Sequence, residues 1–280
     1  MILGAHVSTQ GGVDNAPGNG KELGITAIQI FAKNQRQWKA KPLEQERIDH
    51  WHEEVKVCGI THQVSHTSYL INLCAPVEEN RRKSIDSLVD ELERAEALGL
   101  THVVLHPGSH LKQGEEWGLS EIAHSLDIVH ERTAGFKAKV TLENTAGQGT
   151  NLGYRFEQLA RIIEQTHEHE RLAVCYDTCH GFSAGYDIVG KEMYEKTFAE
   201  FDRIVGLERL QLFHINDTKK PLASKVDRHD HIGEGELGLE PFRMLLNDSR
   251  FVDVPAYLET PEDELGGYEH DLEVLRGLMP

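Results

Sequence analysis

A chain of 280 residues, 39% of them hydrophobic, is long enough to bury a large core, and its length suits one α/β barrel as well as two domains. There is no uncharged apolar run of membrane-spanning length and no basic flank or apolar stretch of signal-peptide type in MILGAHVSTQGG, and the four cysteines (Cys58, Cys74, Cys175, Cys179) are too few and scattered for a secreted disulfide framework; the sequence therefore reads as a cytoplasmic protein with reduced, packed thiols. A net charge of −17 argues against a polyanionic partner unless positive charge is gathered in one place.

In chain order, the first apolar runs are ILGAHV (2–7) and AIQIFA (27–32), followed by a less clear helical stretch at 43–58. HQVSH (62–66) leads into a segment where Ile85, Leu88, Val89, Leu92 and Ala95 recur at helical spacing, with Gly99 as a C-cap. HVVLH (102–106) precedes the same pattern in Leu119, Ile122, Ala123 and Leu126, and KVTLE (139–143) precedes it in Phe156, Leu159, Ile162 and Ile163. LAVCYD (172–177) precedes it in Tyr194, Phe198, Phe201 and Val205. LQLFH (210–214) and PAYLE (255–259) are followed by weaker helical stretches at 238–247 and 266–279. Several runs are apolar throughout, as expected for strands covered on both faces of a parallel sheet. Eight such runs alternating with helices, with no Pro/Gly/Ser-rich linker, predict a single (β/α)8 TIM barrel occupying 1–280 as one catalytic domain. An open doubly wound sheet is the alternative, and the number of units favours the barrel.

In such a barrel the chemistry sits at the C-terminal ends of the strands. Strands three to eight end in His66, His106, Glu143, Asp177, His214 and Glu259, each a residue type that binds zinc. One histidine at a strand end is more often structural, but six consecutive ligand types on one rim are not explained that way. A cluster of histidines and unpaired carboxylates is costly to desolvate without cations. His180 lies three residues past Asp177, and KVDRHDHIGEG holds Asp227 and His229 as an i, i+2 pair that one metal can take if the loop is extended. His229 and His231 have the same spacing, so spacing alone leaves the register open. Cys175 and Cys179 are one residue too far apart for a haem attachment site and read as packing residues, a zinc site between them being the weaker alternative. His6 and His110 read as supporting or structural residues rather than ligands.

Nine segments in order carry a resemblance over almost the whole chain: GAHVS, FAKNQRQW, HTSYLINL, LHPGSHL, LENTAGQGTNLG, DTCHGFSAGYD, FHINDTK, VDRHDHIGEGELG and YLET. They resemble endonuclease IV, the zinc-dependent apurinic/apyrimidinic endonuclease family of base-excision DNA repair. The resemblance implies three zinc ions. His66 and His106 would hold one, with Glu143 bridging to a second completed by Asp177, His214 and Glu259. His180, Asp227 and His229 would hold the third, which leaves His231 a loop residue. It also implies a reaction, with Glu143 and Glu259 as catalytic residues: hydrolysis of the DNA backbone 5′ to an abasic site by zinc-activated hydroxide, leaving a 3′-hydroxyl and a 5′-deoxyribose phosphate. The implied partner is double-stranded DNA with abasic sites or 3′-blocked ends, met by a monomer that is nucleoid-associated when acting. Three divalent ions outweigh the four carboxylates, so the mouth of an acidic protein would be positive.

Two basic loops follow strand ends on the same side. AKNQRQWKAK holds Lys33, Arg36, Lys39 and Lys41 around Trp38, and the loop after strand seven holds Lys219, Lys220, Lys225 and Arg228. Many acids (Glu44, Glu46, Asp49, Glu53, Glu54, Asp86, Asp90, Glu91, Glu93) fall instead in outer helices, a segregation that would draw DNA to one face. The resemblance adds Arg36, Tyr69 and Leu70 as minor-groove contacts that help eject the damaged nucleotide. A metal-dependent sugar isomerase or epimerase on a related barrel is the rival enzyme, but it leaves His180, Asp227, His229 and the basic loops without a task. A damage-binding protein that does not cut is the other rival, and an intact ligand set argues against it.

Overall fold

The computed structural model describes residues 1–279. Eight parallel strands close into a barrel: β1 (Ile2–His6), β2 (Ala27–Ile30), β3 (His62–His66), β4 (His102–Leu105), β5 (Lys139–Glu143), β6 (Leu172–Asp177), β7 (Leu210–His214) and β10 (Pro255–Leu258), the last pairing back to β1. Between them run α1 (Ala16–Glu22), α2 (Gln45–Cys58), α3 (Glu78–Leu98), α4 (Glu115–Arg132), α5 (Phe156–Gln165), α6 (Thr178–Ala184), α7 (Lys191–Ile204), α8 (Leu239–Leu246) and α9 (Gly267–Leu278). A short antiparallel pair of two-residue strands, β8 (Asp217–Thr218) with β9 (His229–Asp230), sits in the long connection after β7. Among the described residues no helix is long and apolar enough to cross a membrane.

The burial pattern explains the strand sequences. Every residue of β2, β6 and β10 is buried, because one face meets the helical layer and the other the barrel interior. Inside the cylinder, Ala27, Val64, Val104, Cys175, Leu212 and Tyr257 pack together, with Ile2 against them. This layer makes a solid floor under the C-terminal rim. The fit is tight: a Cβ on Gly4 would lie 2.7 Å from the Ala27 carbonyl oxygen and 2.8 Å from the Tyr257 ring. On α3 the predicted stripe of Ile85, Leu88, Val89, Leu92 and Ala95 is buried, and the helix stops at Gly99 in the left-handed region (φ 67°). On the polar α2 only Trp51 is buried, its indole N–H donating to the Leu98 carbonyl (2.8 Å).

Three features depart from the sequence reading. The ladders of β1, β2, β4 and β10 stop at His6, Ile30, Leu105 and Leu258, so His106 and Glu259 sit one residue beyond their strands, where the chain turns onto the rim. Helix α1 was hidden by Gly18 and Gly20, although Pro17 in its first turn is compatible with a helix start. Helix α6 begins directly at the end of β6, with Asp177 as N-cap accepting from the His180 N–H (2.8 Å). That cap turns His180 back toward the mouth.

Candidate metal centre

The nine predicted ligand positions converge at the C-terminal rim in three groups: His66, His106 and Glu143; Glu143, Asp177, His214 and Glu259; and His180, Asp227 and His229, the last linked to the second by the further cluster of Asp177, Cys179 and His229. Within each group one donor atom per residue lies within 4.8 Å of the others. Glu143 is fully buried and joins the first two: its Oε2 lies 3.0 Å from His66 Nε2 and 3.1 Å from His106 Nε2, its Oε1 3.0 Å from His214 Nδ1. Glu259 Oε2 is 3.3 Å from the same His214 nitrogen. In the third group Asp227 spans His180 Nε2 at 3.2 Å and His229 Nε2 at 3.4 Å.

The outer nitrogens of these rings identify what the inner ones are for. His66 Nδ1 donates to the Thr67 carbonyl (2.9 Å), His180 Nδ1 to the Asn144 carbonyl (3.0 Å), and His229 Nδ1 to the Glu259 carbonyl (3.0 Å). His214 Nε2 meets the Gln29 side-chain oxygen at 2.8 Å. A carbonyl only accepts, so in a neutral ring the proton sits on the outer nitrogen and the lone pair faces inward, toward carboxylates. Lone pairs facing anions need positive charge between them. His180 Nε2 and His229 Nε2 have no hydrogen-bond partner among the described residues despite the nearby Asp227 oxygens, because those contacts lack hydrogen-bond direction. The donor set of imidazole nitrogens and carboxylate oxygens fits zinc, and the arrangement can bind metal.

The titration of the cluster points the same way. Burial pulls His180 and His66 down, but carboxylates (Asp177, Asp227 and Glu143 around His180; Glu143 and Glu259 around His66) outweigh it and raise both. Burial likewise works against His214, and Cys175, Glu259 and Glu143 beside it raise it well above the ordinary value. Burial pushes the carboxyls up in turn, yet His214 and His106 hold Glu143 well below the carboxylate range, and His180 holds Asp227 at about 2. Glu259 is also held low: His214 and His6 overcome its burial. Without ions, protons on the histidines take over the cationic role.

Sequence reasoning missed the amides that orient this centre. Gln29, fully buried on β2, donates to Glu259 Oε1 (2.6 Å) while its oxygen faces His214. Asn144 bonds both backbone groups of Asp177 (2.7 and 3.1 Å), and Asn216 donates to Asp177 Oδ2 (2.7 Å) and accepts the Glu259 N–H (2.8 Å). The available signal was an amide immediately after the ligand that ends β5, and another two residues after the one that ends β7. His6 stands behind Glu259 at 3.3 Å, whereas the His110 ring, among the described residues, accepts only the local Gly114 N–H (3.2 Å). Burial pushes the Cys175 and Cys179 thiols up to about 12, so Cys179 remains a protonated packing group although it lies close to Asp177 and His229.

Asp217 was also missed. It is fully buried and accepts the N–H groups of Gly233 (3.0 Å), Gly235 (3.1 Å), Leu237 (2.9 Å) and Gly238 (3.2 Å), folding the loop that carries Asp227 and His229. Asp217→Ala strands these donors and should lower stability in urea unfolding by about 2–4 kcal/mol. If the third group holds an ion, chelator titration of the variant should remove that ion first. A native unfolding midpoint and metal count would show that the loop is held otherwise.

Three expectations need correction. Lys33 is not a free cation for DNA: its ammonium is buried against α3, bonded to Asp90 Oδ2 (2.7 Å) and the Ser87 carbonyl (3.0 Å). Glu91, counted among the acids of the outer helices that would repel DNA, is buried beside it, because the apolar stripe of α3 turns this position inward. His231 is not a plain loop residue. It is fully buried between Asp271 Oδ2 (2.9 Å) and Asp263 Oδ1 (3.0 Å), clamping the loop to the chain at α9. Arg36 and Tyr69 are exposed and Leu70 is half-buried; the Tyr69 ring lies 6.3 Å from that of His66. Of the second basic loop, Lys225 sits 4.9 Å over the Tyr154 ring and Lys219 3.6 Å from Asp230.

Comparison with known proteins agrees with this geometry. Residues 19–278 match a family model described as a xylose isomerase-like TIM barrel. The chain is 50% identical over 278 residues to a probable endonuclease 4 of Chloroflexus aurantiacus, covering 99% of this chain and 98% of the relative. It is 46% identical to that of Geobacter sulfurreducens, covering 99% and 94% respectively. The crystal structure of endonuclease IV from Thermus thermophilus superposes with a TM-score of 0.87 at 36% identity, covering 99% of this chain and 98% of that one. The chain therefore belongs to the endonuclease IV family and is an enzyme of that type.

Proposed function

We propose that this enzyme hydrolyses the phosphodiester bond 5′ to abasic sites in double-stranded DNA, leaving a 3′-hydroxyl and a 5′-deoxyribose phosphate, with three zinc ions held by the nine convergent residues. It also takes 3′-blocked ends, and works in the cytoplasm on the nucleoid as a monomer built on one catalytic domain. The observation that carries the reading is the set of histidines whose outer nitrogens are spent on acceptors while their inner nitrogens face four carboxylates.

When bound, zinc supplies Lewis acidity, bringing the pKa of coordinated water to about 7 and neutralising phosphate charge. The residues do the rest by position. Glu143 presents one oxygen to His66 and His106 and the other to His214, and so would span two ions. Gln29 and His6 hold one oxygen of Glu259, leaving the other directed at His214. Asp177, pinned by Asn144 and Asn216, lies between the second and third groups, 3.7 Å from His229 Nε2. Arg36, Tyr69 and Leu70 stand at the rim, where an abasic nucleotide, lacking a stacked base, is turned out more easily than an intact one.

The test is a zinc count on the purified protein together with nicking of a duplex carrying one abasic site. A polymerase should extend the nicked strand, reporting a 3′-hydroxyl. Zinc-loaded protein that leaves this duplex intact but epimerises a ketose would establish the rival sugar chemistry. Arg36→Ala should weaken binding of the duplex about tenfold, and should lower the slope of log affinity against log salt by about 1. An unchanged affinity and salt slope would remove Arg36 from the DNA face.

A further inference from the structure

The loop carrying Arg36 contains no helix or strand between β2 and α2, yet both of its ends are fastened to α3. Lys33 opens the loop. Its side chain is fully covered (0% exposed), and its ammonium reaches the Ser87 carbonyl (3.0 Å), Ser87 Oγ (3.0 Å), Asp90 Oδ2 (2.7 Å) and Glu91 Oε1 (3.7 Å). At the far end Arg94, one turn along α3, donates to the Lys41 carbonyl (2.7 Å) and to Asp90 (3.1 Å). Between the anchors, Ser68 Oγ donates to the Gln35 carbonyl (2.7 Å) and accepts the Leu70 N–H (3.2 Å), tying the Tyr69 loop to the same unit.

Stability alone does not account for this network. Buried ion pairs roughly break even against well-packed apolar side chains of the same volume. Glu91 is 1% exposed and has a carboxylate oxygen without a partner among the described residues, which is a further cost. What the charges do provide is direction: each fixes a named atom of an otherwise irregular loop to a rigid helix of 21 residues. A loop held in its binding geometry loses less freedom when the duplex arrives.

We propose that Lys33 and Arg94, through Asp90 and Glu91, are positioning residues that hold the Arg36 loop and the adjoining Tyr69 loop in register with the metal mouth, so that α3 sets affinity for the damaged duplex without touching it. The inference rests on the reading of Arg36, Tyr69 and Leu70 as DNA contacts, and it goes beyond that reading by naming what keeps them in place.

The experiment uses the full zinc-loaded enzyme and two substrates: a duplex with one tetrahydrofuran abasic-site analogue, and bis(p-nitrophenyl) phosphate, which is too small to reach the loops. Lys33→Met alone strands buried carboxylates, so it is measured beside Lys33→Met/Glu91→Leu, which replaces the Lys33–Glu91 pair with apolar side chains and should recover much of the melting temperature. Both, and Arg94→Met from the other end, should raise KM for the duplex between about 10- and 100-fold, while kcat and hydrolysis of the small diester stay within about twofold. The double variant should keep its high KM despite recovered stability. A KM that returns to the native value with the melting temperature, while Arg36→Ala still raises it, makes the network merely structural and overturns the inference. An unchanged KM in Arg36→Ala overturns the assignment of the loop to DNA, and the inference falls with it.

Discussion

Glu143→Gln should lower incision of an abasic duplex on the order of 10³-fold, with the zinc count falling below that of the native enzyme. The two side chains have nearly the same volume, so the effect isolates charge and donor type. Glu143 is fully buried and lies within 3.1 Å of the inward-facing nitrogens of three histidines: His66, His106 and His214. An amide leaves one oxygen where two are needed and turns an N–H toward sites meant for cations. Removing one preorganised group that stabilises charge in the reaction costs about 10²–10³ in kcat, and a carboxylate shared by two ligand groups is expected at the upper end. Steady-state nicking with metal analysis of the same preparation checks it. A Glu143→Gln enzyme that keeps its full zinc and nicks within tenfold of native would take Glu143 out of the mechanism.

The second large effect is expected from removing the metal. Chelation should abolish nicking and lower the melting temperature by on the order of 10 °C for each ion lost, since an ion at 1,000 times its dissociation constant contributes about 4 kcal/mol to the folded state. Zinc should then enter with release of protons, because His66, His180 and His214 are raised in the metal-free chain and must give them up. Calorimetric heats measured in two buffers of different ionisation enthalpy report those protons, and equal heats would contradict the account. The sign of the pH dependence differs between the two forms. In the metal-free chain, the raised histidines contribute stability present below about pH 6.5 and lost as pH rises through their folded values. The lowered carboxyls of Glu143, Asp227 and Glu259 contribute stability present above about pH 4 and lost as pH falls through theirs. Metal-free protein should therefore be most stable in mild acid, where the zinc form loses its ions.

The barrel and the ligand-type residues at its strand ends were legible because both rest on local pattern, whereas their sorting into three groups, and the choice of Asp227 with His229, came from the family resemblance alone. Apolar runs bounded by ligand-type residues mark strand ends, and a closed parallel barrel delivers all those ends to one rim. What depends on tertiary partners was not legible. His231 looks like a spare member of an i, i+2 pair until Asp271, 40 residues away, is placed against its ring. Lys33 reads as one cation of a basic loop, since composition does not say whether a lysine stem lies on the surface or runs inward to Asp90. Gln29 carries no charge and sits inside an apolar strand, so nothing local distinguishes it from a filler of the β2 pattern, although it orients both Glu259 and His214. Helix α6 is too short to show a period, and its N-cap was already accounted for as a ligand.

The packed layer of Ala27, Val64, Val104, Cys175, Leu212 and Tyr257 beneath the site has a kinetic corollary. With that floor packed, ions and solvent have no path up the barrel axis to the centre, and the open rim over which the duplex is proposed to lie is the way in. A docked substrate is then also a stopper, so ions held there would exchange between turnovers and not during them, and damaged DNA would shield a metal-loaded enzyme from chelators.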